Sequence, residues 1–419
     1  MSSTAAPPIA PEPSRQTYIN IHSFQVLNAM SYTIALGSPL TLFTRELGAS
    51  ATIIGLIAAF TPALALLQVA VAPYSARVGY RPVVIRGWGG RVVSLILLVA
   101  MPFVAPLVSH EVAIAGVVLS MFIFNLLRGF AAGSWLPWTT SLVPRQSRAR
   151  FLSRDRTLVA IASVLALGVS GAILTGEHTP LGYSAMFGLS FIAGAGSLYF
   201  VSRIPATPEP AGAERAGRMA QWRAVLVDRP YMAYALFGIG AQFTTAAANT
   251  FVIVFARDNS GLQDGTLILI SAAAQLLGAL ALWRARRGLE ALGSKRYLNG
   301  TLVWWLLYFG LWLAMALGAA PLLVVTPLLI AMNGAGGALF DLAHTRMLMN
   351  LGGDRLGSAH YFAVYQTGAN IATSLSPIVW GAALDRMGMA GINRYGVFFF
   401  VEMGLLLALL LLLSRVRER

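Results

Sequence analysis

Long apolar runs separated by short polar and basic segments dominate this sequence. Twelve of the runs contain roughly 20 mostly apolar residues, the length that an α-helix needs to cross a bilayer. Because none has the period-two alternation of a β-barrel strand, every crossing is expected to be helical. The predicted spans are residues 20–43, 51–75, 83–107, 112–142, 157–175, 183–203, 231–255, 266–285, 298–319, 322–347, 360–384 and 392–414.

A polar stretch near the middle of the chain divides the spans into two sets of six. Residues 204–229 form the longest hydrophilic segment after the N-terminal tail and contain three prolines. The first residues are rich in Ser, Ala and Pro and lack the basic and apolar regions of a signal peptide, which predicts a disordered cytoplasmic tail. The predicted organisation is a tail at 1–19, an N-terminal six-helix half at 20–203, a cytoplasmic loop at 204–229, a C-terminal six-helix half at 230–414 and a cytoplasmic tail at 415–419.

Short sequence repeats relate the two halves. The first span ends in FTRE at residues 43–46, and the seventh ends in FARD at residues 255–258. The second span is followed by RVGYR at residues 77–81, and the eighth by ALGSKR at residues 291–296. Because the offsets are nearly equal and each half has six spans, the two halves are expected to be parallel and pseudo-symmetric.

Composition and charge place the chain in a membrane. Hydrophobic residues make up 57% of the chain and charged residues only 11%, against about 25% charged in soluble domains. The net charge of +14 lies in short clusters between spans, which argues for membrane topology and against nucleic-acid binding. The segments predicted to be cytoplasmic hold 25 Lys and Arg residues and the opposite loops hold 4, so both termini are expected in the cytoplasm.

The loop after the second span carries a family resemblance. Residues 72–81 read APYSARVGYR, which resembles the loop of form G-x-L-A-D-R-x-G-R-K in the major facilitator superfamily at Arg77, Gly79 and Arg81. Ala76 stands where that family has an acid. The second half keeps Glu290, Gly293 and Lys295 at the matching positions. In the family this loop is understood to latch helices in the outward-open state, and a basic turn that only obeys topology is the alternative interpretation.

The resemblance extends from about residue 20 to 414 and implies an all-α fold of twelve transmembrane helices in two halves, with a substrate site at their interface. Arg128 resembles the family's fourth-helix arginine, although the following glycines, Gly129 and Gly133, are displaced from the usual position. The fifth span has Gly168 and Gly171 without the proline of the antiporter motif, and the sugar-porter signature is absent near Arg203.

Four ionisable residues inside spans are coupling candidates. Arg128 lies in an apolar run, where an unpaired charge is costly and suggests a functional site. Asp341 and His344 share a helix face in the tenth span, and Glu402 is the acid nearest the middle of the bilayer. Each has a structural alternative: an interhelix bond for Arg128 and Glu402, and an ion pair or helix cap for Asp341. Arg91 is expected to extend to the lipid headgroups.

Uncharged polar residues follow one face of three spans. Spacings of three and four place each set away from lipid, although such residues also hold helices together. The substrate-cavity candidates are Gln25, Asn28 and Tyr32 in the first span, Gln242, Thr245 and Asn249 in the seventh, and Gln366, Asn370 and Ser374 in the eleventh.

The sequence contains no catalytic motif, phosphate loop or metal-binding cluster, so no enzyme activity, cofactor or metal is expected. The favoured interpretation is a monomeric secondary transporter of the cytoplasmic (inner) membrane, which moves a small solute by alternating access with protons as one option for coupling. The fixed charge of Arg128 favours a neutral or anionic solute over a cation. The rival interpretation keeps the fold without transport: a membrane assembly protein that docks partners on its arginine-rich cytoplasmic loops.

Overall fold

The computed structural model describes residues 14–144, 147–175, 180–207, 223, 225–319, 321–352, 358–391 and 393–416. Regular structure within this part of the chain is helical, as the apolar runs predict. We number its longer helices α1 Arg15–Leu36, α2 Ser38–Glu46, α3 Ala51–Ala65, α4 Leu67–Val78, α5 Tyr80–Val104, α6 His110–Leu142, α7 Arg148–Ile173, α8 Pro180–Ser202, α9 Arg229–Ser260, α10 Asp264–Leu292, α11 Ser294–Ala316, α12 Leu322–Gly352, α13 Ser358–Met389 and α14 Arg394–Arg415.

Ten helical segments of the described chain are long and apolar enough to cross a membrane. The first combines α1 and α2, which are separated at Gly37, and the others correspond to α5–α12 and α14. The second predicted span is divided at Leu66 into α3 and α4, so that α3 counts as a shorter apolar helix. The eleventh predicted span corresponds to α13, which is not among the ten.

Two glycines form matching turns between consecutive helices. Gly79, between α4 and α5, has φ +96°, and Gly293, between α10 and α11, has φ +78°. Residues other than glycine rarely adopt these φ angles, so both positions need glycine. The two turns stand 214 residues apart, the offset of the sequence repeat.

We define two ends of the bundle from the chain order, taking α1 with α2 and α3 with α4 as single crossings. We call the end where α1 begins and α14 finishes the terminal face, and the opposite end the distal face. Helices α1–α8, the N-terminal group, pack mainly with one another, as do α9–α14, the C-terminal group. The groups meet chiefly where α3 packs on α13 and α7 packs on α10.

Close backbone approach joins the two groups. A Cβ added at Gly55 of α3 would lie 2.0 Å from the carbonyl oxygen of Pro377 in α13, and one added at Gly381 would lie 2.5 Å from the carbonyl oxygen of Ala51. Small residues at helix crossings allow this contact in a membrane, where apolar side chains gain little by leaving lipid.

Candidate substrate cavity

A cavity of about 910 Å³ lies between the two groups. Its neutral polar lining includes Thr33, Thr41 and Thr61 from the N-terminal group and Asn249, Ser271, Gln275, Asn333 and Thr373 from the C-terminal group. Asp341 is the one charged residue among the described lining residues. The cavity is therefore large enough for a small solute and offers mainly uncharged hydrogen-bonding groups.

A side pocket of about 120 Å³ extends from the cavity into the C-terminal group. Gln242, Thr245, Asn249 and Asp341 line one part of the pocket, together with Asn333. The remaining walls are aromatic and consist of Trp305, Tyr308, Phe309 and Phe340. Aromatic faces beside amides suit a flat or cyclic polar group, because they combine stacking area with directional hydrogen bonds.

His344 lies behind this pocket in a closed hydrogen-bond network. The imidazole Nδ1 is 2.7 Å from the Tyr234 hydroxyl, and Nε2 is 2.7 Å from the Tyr365 hydroxyl. Tyr234 also donates to the backbone carbonyl of His344, at 3.1 Å. If Tyr234 donates there, its oxygen accepts from Nδ1–H, and Nε2 accepts from Tyr365. The buried imidazole is then neutral, with both nitrogens satisfied.

A glycine makes room for this imidazole. A Cβ added at Gly238 of α9 would lie 2.4 Å from His344 Cε1 and 2.8 Å from Tyr365 Cε2. The network therefore depends on the absence of a side chain at this position.

A second polar cluster lies in the N-terminal group, nearer the terminal face. Asp155 of α7 is buried, and its Oδ1 is 3.2 Å from His22 Nδ1 while its Oδ2 accepts a 2.8 Å hydrogen bond from Gln25 Nε2. Gln25 and Asp155 also line a vestibule of about 530 Å³. The vestibule shares Ala160 and Gln275 with the central cavity, so the two spaces are adjacent.

Two arginines lie beside this cluster. Arg91 of α5 is 1% exposed; its Nη2 donates a 2.5 Å hydrogen bond to Asn28 Oδ1, and its guanidinium carbon lies 5.0 Å from the centroid of the Phe124 ring. Arg128 of α6 is partly buried and lies within electrostatic range of Arg91 and of the Tyr32 hydroxyl. The expectation that Arg91 extends to the headgroups is wrong, because its guanidinium is enclosed by Asn28 and aromatic rings.

Glu402 of α14 is fully buried, away from the cavity lining. Its carboxyl lies against the Thr244 hydroxyl and the Trp380 indole N–H. Within the described residues, none of these polar atoms completes a hydrogen bond. Burying a carboxyl in an apolar interior without a full set of hydrogen-bond partners costs free energy, so Glu402 destabilises the C-terminal group.

Reciprocal ion pairs close the distal face. Arg45 of α2 forms a bidentate pair with Asp258 of α9, with Nε–Oδ1 at 3.0 Å and Nη2–Oδ2 at 2.7 Å. Arg257 of α9 pairs in return with Glu46 of α2, and its Nε donates a 2.9 Å hydrogen bond to Asp264 Oδ1. Every ion pair between the two groups that the described residues form lies on this face.

A helix cap adds to the distal closure. The Asp385 carboxylate of α13 accepts hydrogen bonds from the backbone N–H groups of Ala51 and Thr52, at 3.0 and 2.8 Å, and from the Thr52 hydroxyl at 2.6 Å. Burial alone would raise the pKa of Asp385. The hydrogen bonds from Thr52 and Ala51 outweigh this effect and hold the pKa below its usual value.

Comparison with known protein families identifies the family of this chain. A family model described as Major Facilitator Superfamily matches residues 23–289. The chain belongs to the Major Facilitator Superfamily. No curated protein matches the chain by sequence.

Solved structures of transporters from this superfamily share the fold. A D-xylose-proton symporter matches with a TM-score of 0.72 and 14% identity, over 97% of this chain and 99% of that chain. The nucleoside transporter NupG matches with a TM-score of 0.68 and 16% identity, over 96% and 99%. The xylose transporter XylE from E. coli in its inward open conformation matches with a TM-score of 0.70 and 12% identity, over 95% and 96%. The chain is thus a membrane protein with a transporter fold, as its sequence predicts.

The three polar stripes occupy different positions in this major facilitator protein. Gln25 lines the vestibule, Asn28 and Tyr32 lie by the buried arginines, and the α9 stripe lines the side pocket. The residues of the α13 stripe are absent from the described cavity linings. Gln366 donates to Asn370 Oδ1 at 3.1 Å, and Ser374 donates to the Asn370 carbonyl at 2.6 Å. Thr373 and Pro377 line the cavity from that helix instead.

The latch candidates bind within their own groups. Arg81 donates a 2.5 Å hydrogen bond to the Ser202 carbonyl at the end of α8. Lys295 donates to the carbonyls of Ser414 and Val416 at the end of α14, at 3.1 and 2.5 Å. Arg77 is exposed, and the side chain of Glu290 lies outside the described residues. In this state each base therefore caps the last helix of its own group.

Sequence reasoning did not select Asp155, Tyr234, Tyr365 or Asp385. Asp155 stands alone among arginines at a helix start, where a solvent-exposed ion pair is the ordinary interpretation. A buried role was indicated only by its fit to the α1 face that carries His22 and Gln25. The two tyrosines carry no charge and resemble ordinary core aromatics.

Proposed function

We propose that the protein is a secondary transporter that moves a small polar solute by alternating access between two six-helix halves. The halves are residues 20–203 and 230–414, and α3–α4 and α13 complete twelve crossings. The observation that carries the proposal is the cavity of about 910 Å³ between the groups, closed at one face by reciprocal ion pairs. A cavity with one closed end is the arrangement that alternating access requires.

Charge distribution supplies the orientation. The segments predicted to be cytoplasmic hold 25 Lys and Arg residues, against 4 in the opposite loops, and this asymmetry supports a cytoplasmic terminal face. In this proposed orientation the described state is inward-facing. We assign the protein to the cytoplasmic (inner) membrane as a monomer, with both termini inside.

Proton coupling through the C-terminal half is part of the proposal. Asp341 is the charged residue that faces the cavity, so its protonation would change the charge that a solute meets. Tyr365 is a titratable neighbour of Asp341, and its hydroxyl lies 2.7 Å from His344 Nε2. Glu402 is the second coupling candidate, because a buried carboxyl without full hydrogen bonding is stabilised by a proton.

The experiment measures flux in proteoliposomes. Solutes are first ranked by thermal stabilisation of the purified protein, since ligands that bind only the folded state raise its apparent stability. Uptake of the best solute is then measured with and without an imposed pH gradient, in the wild type and in Asp341→Asn, Glu402→Gln and Glu111→Gln. Glu111 lies exposed at the start of α6 and serves as the matched acid control.

A proton-coupled transporter predicts gradient-driven uptake that is lost in Asp341→Asn or Glu402→Gln and retained in the Glu111 control. Saturable uptake that does not depend on the pH gradient in any of these proteins contradicts proton coupling and remains consistent with transport. Absence of saturable uptake for every stabilising solute contradicts transport. A docking protein predicts instead that charge reversal at exposed Arg150 abolishes partner binding while cavity variants have no effect.

A further inference from the structure

Two arginines inside the N-terminal group, Arg91 and Arg128, lack a negative partner among the described residues. Among the residues that the structure describes, no carboxylate lies within ion-pair distance of the guanidinium of Arg91 or Arg128. Arg91 is fully enclosed, and its Nε has no hydrogen-bond acceptor within the described chain. An uncompensated charge inside a membrane protein is unfavourable, and a bound anion would remove that penalty.

The orientation of Asn28 adds a donor to this region. Its side-chain oxygen accepts the 2.5 Å hydrogen bond from Arg91, and only the amide oxygen can accept from a guanidinium. The amide N–H₂ of Asn28 is therefore turned away from Arg91 and is available as a donor. Tyr32 stands one helical turn further along α1, with its hydroxyl in the field of both arginines.

The nearest acid is already engaged. Both carboxylate oxygens of Asp155 have partners, Oδ1 in His22 and Oδ2 in Gln25. Gln25 precedes Asn28 by three residues, which is about 4.5 Å along a helix, so Asp155 stands beside the arginine pair without neutralising it. Arg128 and Tyr32 are each partly exposed, and Asp155 lines the vestibule.

We propose that Arg128, Asn28 and Tyr32 bind an anionic group of the transported solute, with Arg91 as the positioning residue that orients Asn28. The site offers a guanidinium, an amide N–H₂ and a hydroxyl, which together suit a carboxylate or a phosphate. The inference rests on the proposed transport function and adds to it the substrate class: small organic anions whose uncharged part meets the amides and aromatic rings of the C-terminal half.

Binding is tested on the full-length protein in a neutral detergent, with matched probes at constant ionic strength. Benzoate is compared with its neutral isostere benzamide, and inorganic phosphate with chloride. The readouts are the unfolding temperature and the intrinsic fluorescence of tryptophan, since Trp88 lies 5.9 Å from the Arg91 guanidinium carbon. The expected result is a saturable response to benzoate or phosphate and none to benzamide or chloride.

Four variants assign the response to the site. Arg128→Gln is expected to weaken anion binding at least ten-fold and to leave the unfolding temperature of the ligand-free protein unchanged or higher. Asn28→Asp places a competing carboxylate beside Arg91 and is expected to abolish binding, which provides a second test if Arg128→Gln does not fold. Asp155→Asn removes the neighbouring negative charge and is expected to strengthen binding. Arg86→Gln, at an exposed position of α5, is the matched control and is expected to bind as the wild type does.

Three results would overturn the site. These are an equal response to benzamide, an unchanged response in both Arg128→Gln and Asn28→Asp, and a weaker response in Asp155→Asn. Repeating the titration in nanodiscs of phosphatidylcholine and of phosphatidylglycerol distinguishes the sources of the anion: loss of the response only with the anionic lipid assigns the site to a headgroup and refutes the solute class. Anion binding without flux refutes transport alone, and saturable flux restricted to neutral solutes refutes the anion site alone.

Discussion

The reciprocal ion pairs on the distal face predict how firmly that face is closed. We consider the double variant Glu46→Gln and Asp258→Asn, which removes one acid from each pair and leaves the pair of Arg257 with buried Asp264 intact. Partly exposed ion pairs contribute about 0.2–1 kcal/mol each, and bidentate arginine geometry lies at the upper end of that range. Both substitutions together are expected to cost the distal-closed state up to about 2 kcal/mol.

A change of this size alters the ratio of closed to open molecules about 30-fold, because 1.4 kcal/mol corresponds to a factor of ten. Spin labels on the two groups measure this ratio through the distance between them. The chain has no cysteine, so Leu107→Cys and Leu317→Cys introduce two labels on exposed distal positions, one in each group, without background. Pulsed electron paramagnetic resonance should show a longer distance that grows at the expense of the short one in the double variant.

The refuting result is an unchanged distance distribution in the double variant. A charge exchange supplies the matched control: Arg45→Asp with Asp258→Arg keeps the pair and reverses its direction. It should retain more of the short distance than either single variant. If the exchange behaves as the sum of its single variants, Arg45 and Asp258 do not act as a pair.

Three further predictions concern individual positions. Hydrogen bonds hold the pKa of Asp385 below its usual value of about 3.9, so its contribution to the closed distal face is present above that value and is lost as the pH falls through the lowered pKa. The distance between the two spin labels should therefore increase on acidification below about pH 4. Asp385→Asn should remove the part of this increase that is due to Asp385. Gly238→Ala forces a methyl group into the imidazole network and should destabilise the protein by about 1–3 kcal/mol in thermal unfolding, whereas Gly300→Ala, whose methyl would meet open space, should not. Gly55→Ala brings a methyl group to 2.0 Å from the Pro377 carbonyl oxygen, so α3 and α13 must move apart to accommodate it. This variant should therefore take up solute more slowly in proteoliposomes. Uptake at the wild-type rate, at wild-type expression, would contradict this prediction.

The sequence contained most of the information needed for the fold. Long apolar runs leave no soluble alternative, and the family match and the transporter-like structures confirm the superfamily that residues 72–81 indicate. Helix interruptions were harder to predict. Gly37 and Leu66 divide apolar runs that hydropathy reads as continuous, since a hydropathy average is insensitive to local backbone geometry.

The candidate site was only partly predictable, because helical spacing identifies a face and does not identify the neighbour of that face. The stripes of α1 and α9 reach polar spaces, while Gln366 and Asn370 bond along their own helix. Arg91 illustrates the same limit. Its distance from the helix start suggested escape to the headgroups, and only tertiary packing reveals that Asn28 and Phe124 enclose it.

The crossed pairs of Arg45 with Asp258 and of Arg257 with Glu46 have the contact pattern of an isologous dimer interface, in which residue i of one copy meets residue j of the other and the reverse. In a dimer of identical copies, one substitution would change two contacts at once. In a single chain each contact varies alone, and the two acids differ in length, glutamate in one pair and aspartate in the other. A substitution in a single chain can therefore change one of the two ion pairs without the other, which is impossible in a symmetric dimer.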